Sequence, residues 1–161
     1  MTRRAESRCI RPAELRDLDR VAALWTAITH HHSALDPIFT MRPDADAALR
    51  DLLEAMQRDP ETLILVYDDD DDLPGMAIAR IDQQPPIMQE TQRAEITDLG
   101  VREGERRRGI ASALVDAALE WIRVSGVDRV EVNVARGNRE GQAFWRARGF
   151  GDLMDVLQLR L

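Results

Sequence analysis

The chain has 161 residues, of which 44% are hydrophobic and 32% charged, and its net charge is −7 at neutral pH. Length and composition predict one globular domain over residues 1–161. The acidic balance argues against a nucleic-acid partner, which needs a broad basic surface. No apolar run reaches the roughly 18 residues that cross a bilayer, so no membrane partner is expected.

Cys9 is the single cysteine, so an internal disulfide is excluded. The charged N-terminal residues are not followed by the apolar segment of a secretory signal. Together these features predict a cytoplasmic location.

Hydrophobic periodicity divides the chain into helices and strands in a mixed order. The predicted elements, in chain order, are a strand at 7–11, helices at 13–31 and 45–56, strands at 63–67, 76–81 and 93–102, a helix at 109–124, a strand at 129–135, a helix at 138–148 and a strand at 154–161. Without a repeat or a linker, this order predicts an α/β fold in which helices cover both faces of one mixed sheet.

Five consecutive aspartates, residues 68–72, join the strands predicted at 63–67 and 76–81. An acidic run suggests calcium, but the spacing does not fit an EF-hand loop. The solvated tip of a β-hairpin is the favoured interpretation.

The strand predicted at 93–102 changes its alternation part-way. Ala94 and Ile96 follow one phase, whereas Leu99 and Val101 follow the opposite phase. One inserted residue produces this change, which predicts a β-bulge near Thr97 and Asp98. The alternative is a regular strand that is buried on both faces.

The segment Arg106 to Ala111, with the sequence RRRGIA, precedes the helix predicted at 109–124. The first N–H groups of a helix have no partner within the helix, and the helix dipole adds positive potential there. Such a turn predicts an anion site, with phosphate as the usual guest. It matches neither the P-loop nor the dinucleotide-binding glycine pattern. A plain helix start with solvated arginines is the alternative.

The chain resembles the GCN5-related N-acetyltransferase (GNAT) superfamily. Arg106-x-x-Gly109-x-Ala111 is similar to that family's pyrophosphate turn, and a second motif matches it in spacing. The residues that carry this second motif are Asn138, Phe144, Trp145, Gly149 and Phe150. The resemblance implies the fold order β-α-α-β-β-β-α-β-α-β and acetyl-CoA as cosubstrate, without a metal.

The resemblance also implies where the cofactor binds. Amides at the helix start would hold the pyrophosphate, and the bulged strand would pair with the pantetheine arm. Arg146 and Arg148 would meet the ribose phosphate or remain solvated. The implied cofactor-binding residues are Leu99, Gly100, Val101, Arg106, Arg107, Arg108, Gly109, Ile110, Ala111, Ser112, Asn138 and Trp145.

Transfer of an acetyl group to an amine needs a base, because an amine with a pKa near 10.4 is mostly protonated at neutral pH. Glu95 is the first candidate, since it matches the position of the general base in histone-acetylating members of the family. The alternative for Glu95 is a strand carboxylate that pairs with an arginine. Asp98, at the predicted bulge, is the second candidate base.

One departure from the family concerns Trp145, which stands where the family commonly has a tyrosine that protonates the leaving thiolate. An indole N–H is not a usable acid, so that role does not transfer to this chain. A thiol has a pKa near 8.5, and the thiolate is a tolerable leaving group without it.

Three consecutive histidines, His30 to His32, lie in the segment that usually forms the acceptor wall in the resembling family. Successive helical positions point about 100° apart, so the three do not bind one metal ion. One of them lines the acceptor pocket, or all three belong to a solvated helix end.

The sequence therefore predicts an N-acetyltransferase that acts on a primary amine by direct attack in a ternary complex. The alternative is a CoA-binding module with lost or weak catalysis, which Trp145 favours. A toxin-type relative acting on aminoacyl-tRNA is disfavoured by the net charge of −7. The acceptor, a small molecule or a peptide, stays unnamed, and a homodimer is left open.

Overall fold

The computed structural model describes residues 8–70 and 72–161. Its elements are β1 (Arg8–Pro12), a 3₁₀ turn (Leu15–Asp17), α1 (Leu18–Leu35), a 3₁₀ turn (Pro37–Phe39), α2 (Ala45–Arg58), β2 (Thr62–Asp69), β3 (Asp72–Gln83), β4 (Gln92–Val101), a 3₁₀ turn (Glu103–Glu105), α3 (Ile110–Val124), β5 (Val130–Glu131) and α4 (Arg139–Ala147). Ser7, the predicted start of the first strand, lies outside the described residues. None of the helices within those residues is long and apolar enough to cross a membrane.

The five strands form one sheet in the order β1-β2-β3-β4-β5. Neighbours are antiparallel from β1 to β4, whereas β4 and β5 run parallel. Only two pairs join β4 to β5, Ala94 with Val130 and Glu95 with Glu131. Beyond these pairs the two strands part, and a cleft opens between them.

The bulge predicted in β4 is confirmed. Ala79 pairs with Ile96 and Ile78 pairs with Asp98, so Thr97 is the extra residue. The Thr97 hydroxyl donates to the Ile78 carbonyl oxygen over 3.4 Å. The insertion explains the change of phase, because Ile96 and Leu99 both end up in the core beneath α3.

Two apolar layers cover the sheet, as the mixed α/β prediction requires. The layer on one face joins α3 to the sheet through the buried side chains Leu114, Val115, Ala118, Ile122, Ala77, Ala79, Ala94 and Ile96. The layer on the other face joins α1 and α2 to the sheet through Leu18, Val21, Leu24, Leu49, Leu53, Ile64, Val66, Met76 and Ile78. The parts of β4 and of the following chain that diverge, at Leu99, Val101, Val132 and Val134, are only partly buried against the layer beneath α3.

The predicted C-terminal strand at 154–161 is wrong. Residues 151–161 have no regular secondary structure, and their large apolar side chains are exposed. An alternating pattern gives strand propensity, but a strand forms only where the segment pairs with a sheet edge, and residues 151–161 pair with none of the described strands. β5 is likewise shorter than predicted, because residues 132–135 leave β4 and have no second neighbour.

Gly100 allows α1 to pack closely on β4. A Cβ built on Gly100 would lie 1.7 Å from Cδ1 of Ile28 and 2.6 Å from its Cγ1. No side chain fits in that space, so the glycine fixes how near the helix comes to the strand that borders the cleft.

We predict that Gly100→Ala lowers the free energy of unfolding by about 2 kcal/mol, because overpacking forces the helix and strand apart. Ile28→Ala removes the two clashing carbons, so the double variant should lose less stability than the sum of the single variants by about 1 kcal/mol or more. Urea denaturation of the four proteins measures this coupling. Simple additivity would contradict the close contact.

Candidate active site

A cleft of about 830 Å³ lies where β4 and β5 part. β4 forms one wall, and the chain that follows β5 forms the other. Residues of α1, of the start of α3 and of α4 complete the lining. Of the catalytic and cofactor-binding residues predicted from the sequence, those that line the cleft are Asp98, Leu99, Gly100, Val101, Arg106, Arg107, Gly109, Ile110, Ala111, Ser112, Asn138 and Trp145.

The start of α3 presents unpaired amides to the cleft. Among the described residues, no acceptor bonds to the N–H groups of Ile110, Ala111 or Ser112; the first amide of this segment with a backbone partner is Ala113, which donates to Gly109. Gly109 adopts φ of 80° and Arg107 φ of 65°, both in the left-handed region. The turn therefore directs a row of donors and the positive end of the helix dipole at one place, which is the geometry that binds phosphate.

The arginines of this turn differ in their surroundings. Arg106 lines the cleft, and its Nε donates to the Val101 carbonyl oxygen over 3.3 Å. Arg108 instead pairs with Glu105 and does not line the cleft, although it was predicted as a cofactor ligand.

β4 turns a row of backbone groups toward the cleft. The Arg102 N–H donates to the Pro74 carbonyl oxygen over 2.8 Å, on the side of β3. Because successive N–H groups of a strand point to opposite sides, those of Leu99 and Val101 point toward the parted strand. This edge is open to pairing with an extended ligand.

Glu95 is buried and fully engaged, with 6% of its surface exposed. One carboxylate oxygen lies 2.9 Å from the Arg80 guanidinium, and Arg93 is 3.8 Å from the same oxygen. The other oxygen accepts from the Asn133 amide over 2.7 Å. Glu95 does not line the cleft; its hydrogen bond ties β4 to the chain after β5 where the two begin to part.

Asp98 lies on the wall of the cleft, three residues beyond Glu95. Burial raises the pKa of Asp98 above its ordinary 3.8, a hydrogen bond with Thr97 partly offsets that rise, and the negative charge of Glu95 adds to it. A carboxylate with a raised pKa beside a cleft is suited to accept a proton.

α4 places the second motif against the core. Asn138 precedes the helix, and its side-chain oxygen accepts from the Gly141 N–H over 2.9 Å. Trp145 is buried and meets Phe144 and Phe150 edge-on, with ring centroids 5.2 and 5.0 Å away. Gly149, with φ of 91°, ends the helix as predicted.

Two arginines, Arg146 in α4 and Arg148 directly after it, lie outside the cleft. Arg146 lies 2.7 Å from Asp152, and Arg148 pairs with Asp116 on α3. Neither lines the cleft, so their predicted contact with the ribose phosphate has no support in their positions.

An aromatic wall closes the cleft on the side of α1. It consists of Trp25, His31, His32 and Phe39, which all line the cleft. The ring centroids of His32 and Phe39 are 5.6 Å apart. Burial, the neighbouring His31 and Arg106 together lower the pKa of His32, so its neutral form is favoured. The described residues hold no group of side chains that fits a metal ion.

Sequence reasoning missed parts of this site that come from distant segments. Trp25 and Ile28 of α1 line the cleft. The helical spacing of α1 shows an apolar face but not what lies opposite it. Gly100 within β4 indicates that some neighbour packs closely on the strand, but it does not indicate that this neighbour is Ile28.

A comparison with protein-family models matches residues 24–150 to the acetyltransferase (GNAT) family. The chain belongs to this family. The matched region holds α2, α3, α4, strands β2 to β5 and most of α1, and therefore every element that borders the cleft.

A curated relative, the mycothiol acetyltransferase of Beutenbergia cavernae, is 39% identical over 92 residues. That alignment covers 57% of this chain but only 29% of the relative, so this chain spans under a third of the relative's length.

Two solved structures share the fold. One is a tetramutant of the BH1408 protein from Bacillus halodurans, with a TM-score of 0.84 and 24% identity, covering 95% of this chain and 99% of that chain. The other is the aminoglycoside N-acetyltransferase AAC(6')-Iy in complex with CoA, with a TM-score of 0.78 and 19% identity, covering 100% and 99% of the two chains.

We predict that Arg80→Met lowers the free energy of unfolding by about 2 kcal/mol, because the negative charge of the buried Glu95 loses the nearer of its two arginine partners. Arg58→Met is the matched control, since Arg58 pairs with Glu54 at the surface, and should cost under about 0.5 kcal/mol. Thermal or urea unfolding measures both changes. Equal costs for the two variants would show that the Glu95 pair is no stronger than a surface pair.

Proposed function

We propose that this chain moves the acetyl group of acetyl-CoA to a primary amine, by direct attack while both substrates are bound. The observation that carries the proposal is the row of unpaired amides at the start of α3, which faces a cleft with an open strand edge. A diphosphate suits the amides, and the amide groups of a pantetheine arm suit the backbone edge at Leu99 and Val101. We also treat residues 1–161 as one catalytic domain.

In this proposal Asp98 takes the proton from the amine, directly or through water. The neutral nitrogen attacks the thioester carbonyl carbon and forms the C–N bond, while the electron pair of the C=O bond moves to oxygen. A backbone N–H of the bulged strand stabilises that oxyanion. As the carbonyl reforms, the C–S bond breaks and CoA leaves as a thiolate. The attacking nitrogen, which is positively charged after the C–N bond forms, loses its second proton to water, and the thiolate takes a proton from water.

Glu95 has a positioning role in this proposal rather than the role of base. Arg80 and Asn133 already occupy both of its oxygens. Asp98 lines the cleft on the same strand and has the raised pKa that proton transfer requires. The negative charge of Glu95 contributes to that raised pKa, so Glu95 acts on the chemistry through Asp98.

The acceptor we propose is a small-molecule amine. Support comes from the names of similar proteins, which are mycothiol and aminoglycoside acetyltransferases. The acidic chain attracts a cationic amine, and Trp25 and Phe39 of the aromatic wall offer apolar surface to the rest of the molecule.

Substitution of Gly109 tests cofactor binding. Gly109→Ala places a side chain at a positive φ, which turns the amides away from a common point, and should weaken CoA binding at least about tenfold, or 1.4 kcal/mol. Gly126→Ala is the matched control, because Gly126 has φ of 79° and open space around it at the other end of α3. Calorimetric titration with CoA measures both. Equal affinity of the two variants would contradict the proposed diphosphate site.

Substitution of Asp98 tests the base. Asp98→Asn should lower kcat/KM about 10²- to 10⁴-fold with an amine acceptor, measured by release of free thiol from acetyl-CoA. It should also raise Tm at pH 7. The folded pKa of Asp98 lies above its unfolded value, so stability is lost as the pH rises through the folded pKa, and a neutral side chain avoids that loss.

Glu95→Gln is the companion variant. Removal of its charge lowers the pKa of Asp98, so the acidic limb of the pH profile of kcat/KM should move to lower pH while activity is retained. A Glu95→Gln protein without activity beside an active Asp98→Asn protein would reverse the assignment. CoA binding without turnover of any amine by the unmodified protein would indicate a binding module instead.

A further inference from the structure

The side chain of Asp98 lies on the face of β4 that α1 covers. Asp98 and Gly100 are two residues apart in a stretch of β4 with regular pairing, so their Cβ directions agree. A Cβ on Gly100 would meet Ile28 of α1. The residues of opposite phase, Leu99 and Val101, pack in the layer beneath α3. The proposed base therefore faces α1.

The later residues of α1 lie toward the end of β4. Ile28 packs on the glycine of β4, and His32, one turn further along α1, is near enough to Arg106 for that positive charge to lower the pKa of His32. Arg106 follows the end of β4. Trp25, almost one turn before Ile28, therefore lies toward Asp98. Both Trp25 and Asp98 line the cleft, so the indole borders the place where an amine would meet the base.

The cleft offers little free negative charge to a ligand. Among the described residues, the carboxylates that line it are those of Asp98, Glu105 and Glu140. Glu105 pairs with Arg108, and Glu140 lies in the exposed first turn of α4. Arg106 and Arg107 also line the cleft, and neither forms an ion pair with another described residue. An acceptor with several ammonium groups would find few carboxylates to pair with, and removing its charges from water would cost free energy.

The aromatic wall offers an uncharged surface instead. Trp25 and Phe39 line the cleft with their rings. The ring of His32 lies 5.6 Å from that of Phe39 between centroids, and its lowered pKa favours the neutral form. A ring carried by the acceptor would pack on these side chains edge-to-face or offset, and an ammonium close to an indole is attracted to the face of the indole ring. The wall therefore favours an acceptor with an aromatic body.

We propose that the acceptor is an arylalkylamine, a primary amine whose single amino group meets Asp98 while its aromatic ring packs on Trp25. This inference rests on the proposed acetyl transfer and adds the substrate class. One ammonium group matches the one carboxylate that is placed for proton transfer, and the ring matches the apolar surface beside it. Trp25 is thereby a specificity-determining residue. Aminoglycosides, which give one protein of the same fold its name, should be poor acceptors for this chain.

The first experiment compares acceptors by release of free thiol from acetyl-CoA. The amines are phenethylamine, n-butylamine, spermidine and kanamycin, and phenethylamine would yield N-acetylphenethylamine and CoA by the bond changes given above. We expect kcat/KM for phenethylamine to exceed that for each of the others at least about tenfold. An equal or higher value for any other amine would overturn the arylalkylamine assignment and leave the acetyl transfer in place. Turnover of none of them by protein that binds CoA would overturn the proposed function, and this inference with it.

The second experiment locates the ring. Trp25→Leu should raise KM for phenethylamine at least about tenfold and change KM for n-butylamine little, whereas Trp25→Phe keeps a ring and should retain most of the preference. Trp121→Leu is the matched control, because Trp121 is also half-buried but packs beneath α3 and does not line the cleft, so both KM values should stay as in the parent.

An equal rise in KM for the two amines in Trp25→Leu would show that Trp25 has only a structural role. An unchanged preference for phenethylamine in Trp25→Leu would show that the ring binds elsewhere. Both results overturn the proposal.

Discussion

The site depends on one constraint, which is that β4 and β5 pair at only two positions before they part. In a continuous sheet the backbone groups of Leu99 and Val101 would bond to a neighbouring strand. Here the bulge at Thr97 bends β4 away, and those groups face a cleft. The Glu95–Asn133 hydrogen bond lies at the point of separation and fixes where the opening begins. The start of α3 then brings its unpaired amides to the same opening.

Two carboxylates on one strand are given different properties by their surroundings. Glu95 lies among Arg80, Arg93 and Asn133, which compensate its charge and hold it in the sheet. Asp98 follows the bulge and lines the cleft, and burial, together with the charge of Glu95, raises its pKa. The bulge thus separates a carboxylate held within the sheet from one that lines the cleft.

Features encoded by neighbouring residues could be predicted from the sequence. The phase change within β4 predicted the bulge, and the glycine-containing turn predicted the unpaired amides at the start of α3. An arginine partner was one of the two alternatives for Glu95, but which arginine could not be predicted, because the register of β3 and β4 brings Arg80 opposite it from 15 residues away. The prediction of a strand at 154–161 was wrong for a related reason, since alternation shows that a segment can pair but not which sheet edge it meets.

Nuclear magnetic resonance of ¹⁵N-labelled protein during titration with CoA reports on each amide of the cleft separately. We expect the amide resonances of Ile110, Ala111 and Ser112 to move downfield as they bond to the diphosphate, and those of Leu99 and Val101 to shift at the same ratio of ligand to protein. Saturation with CoA that leaves these five resonances in place, while others move, would show that CoA does not bind at the start of α3 and the open edge of β4.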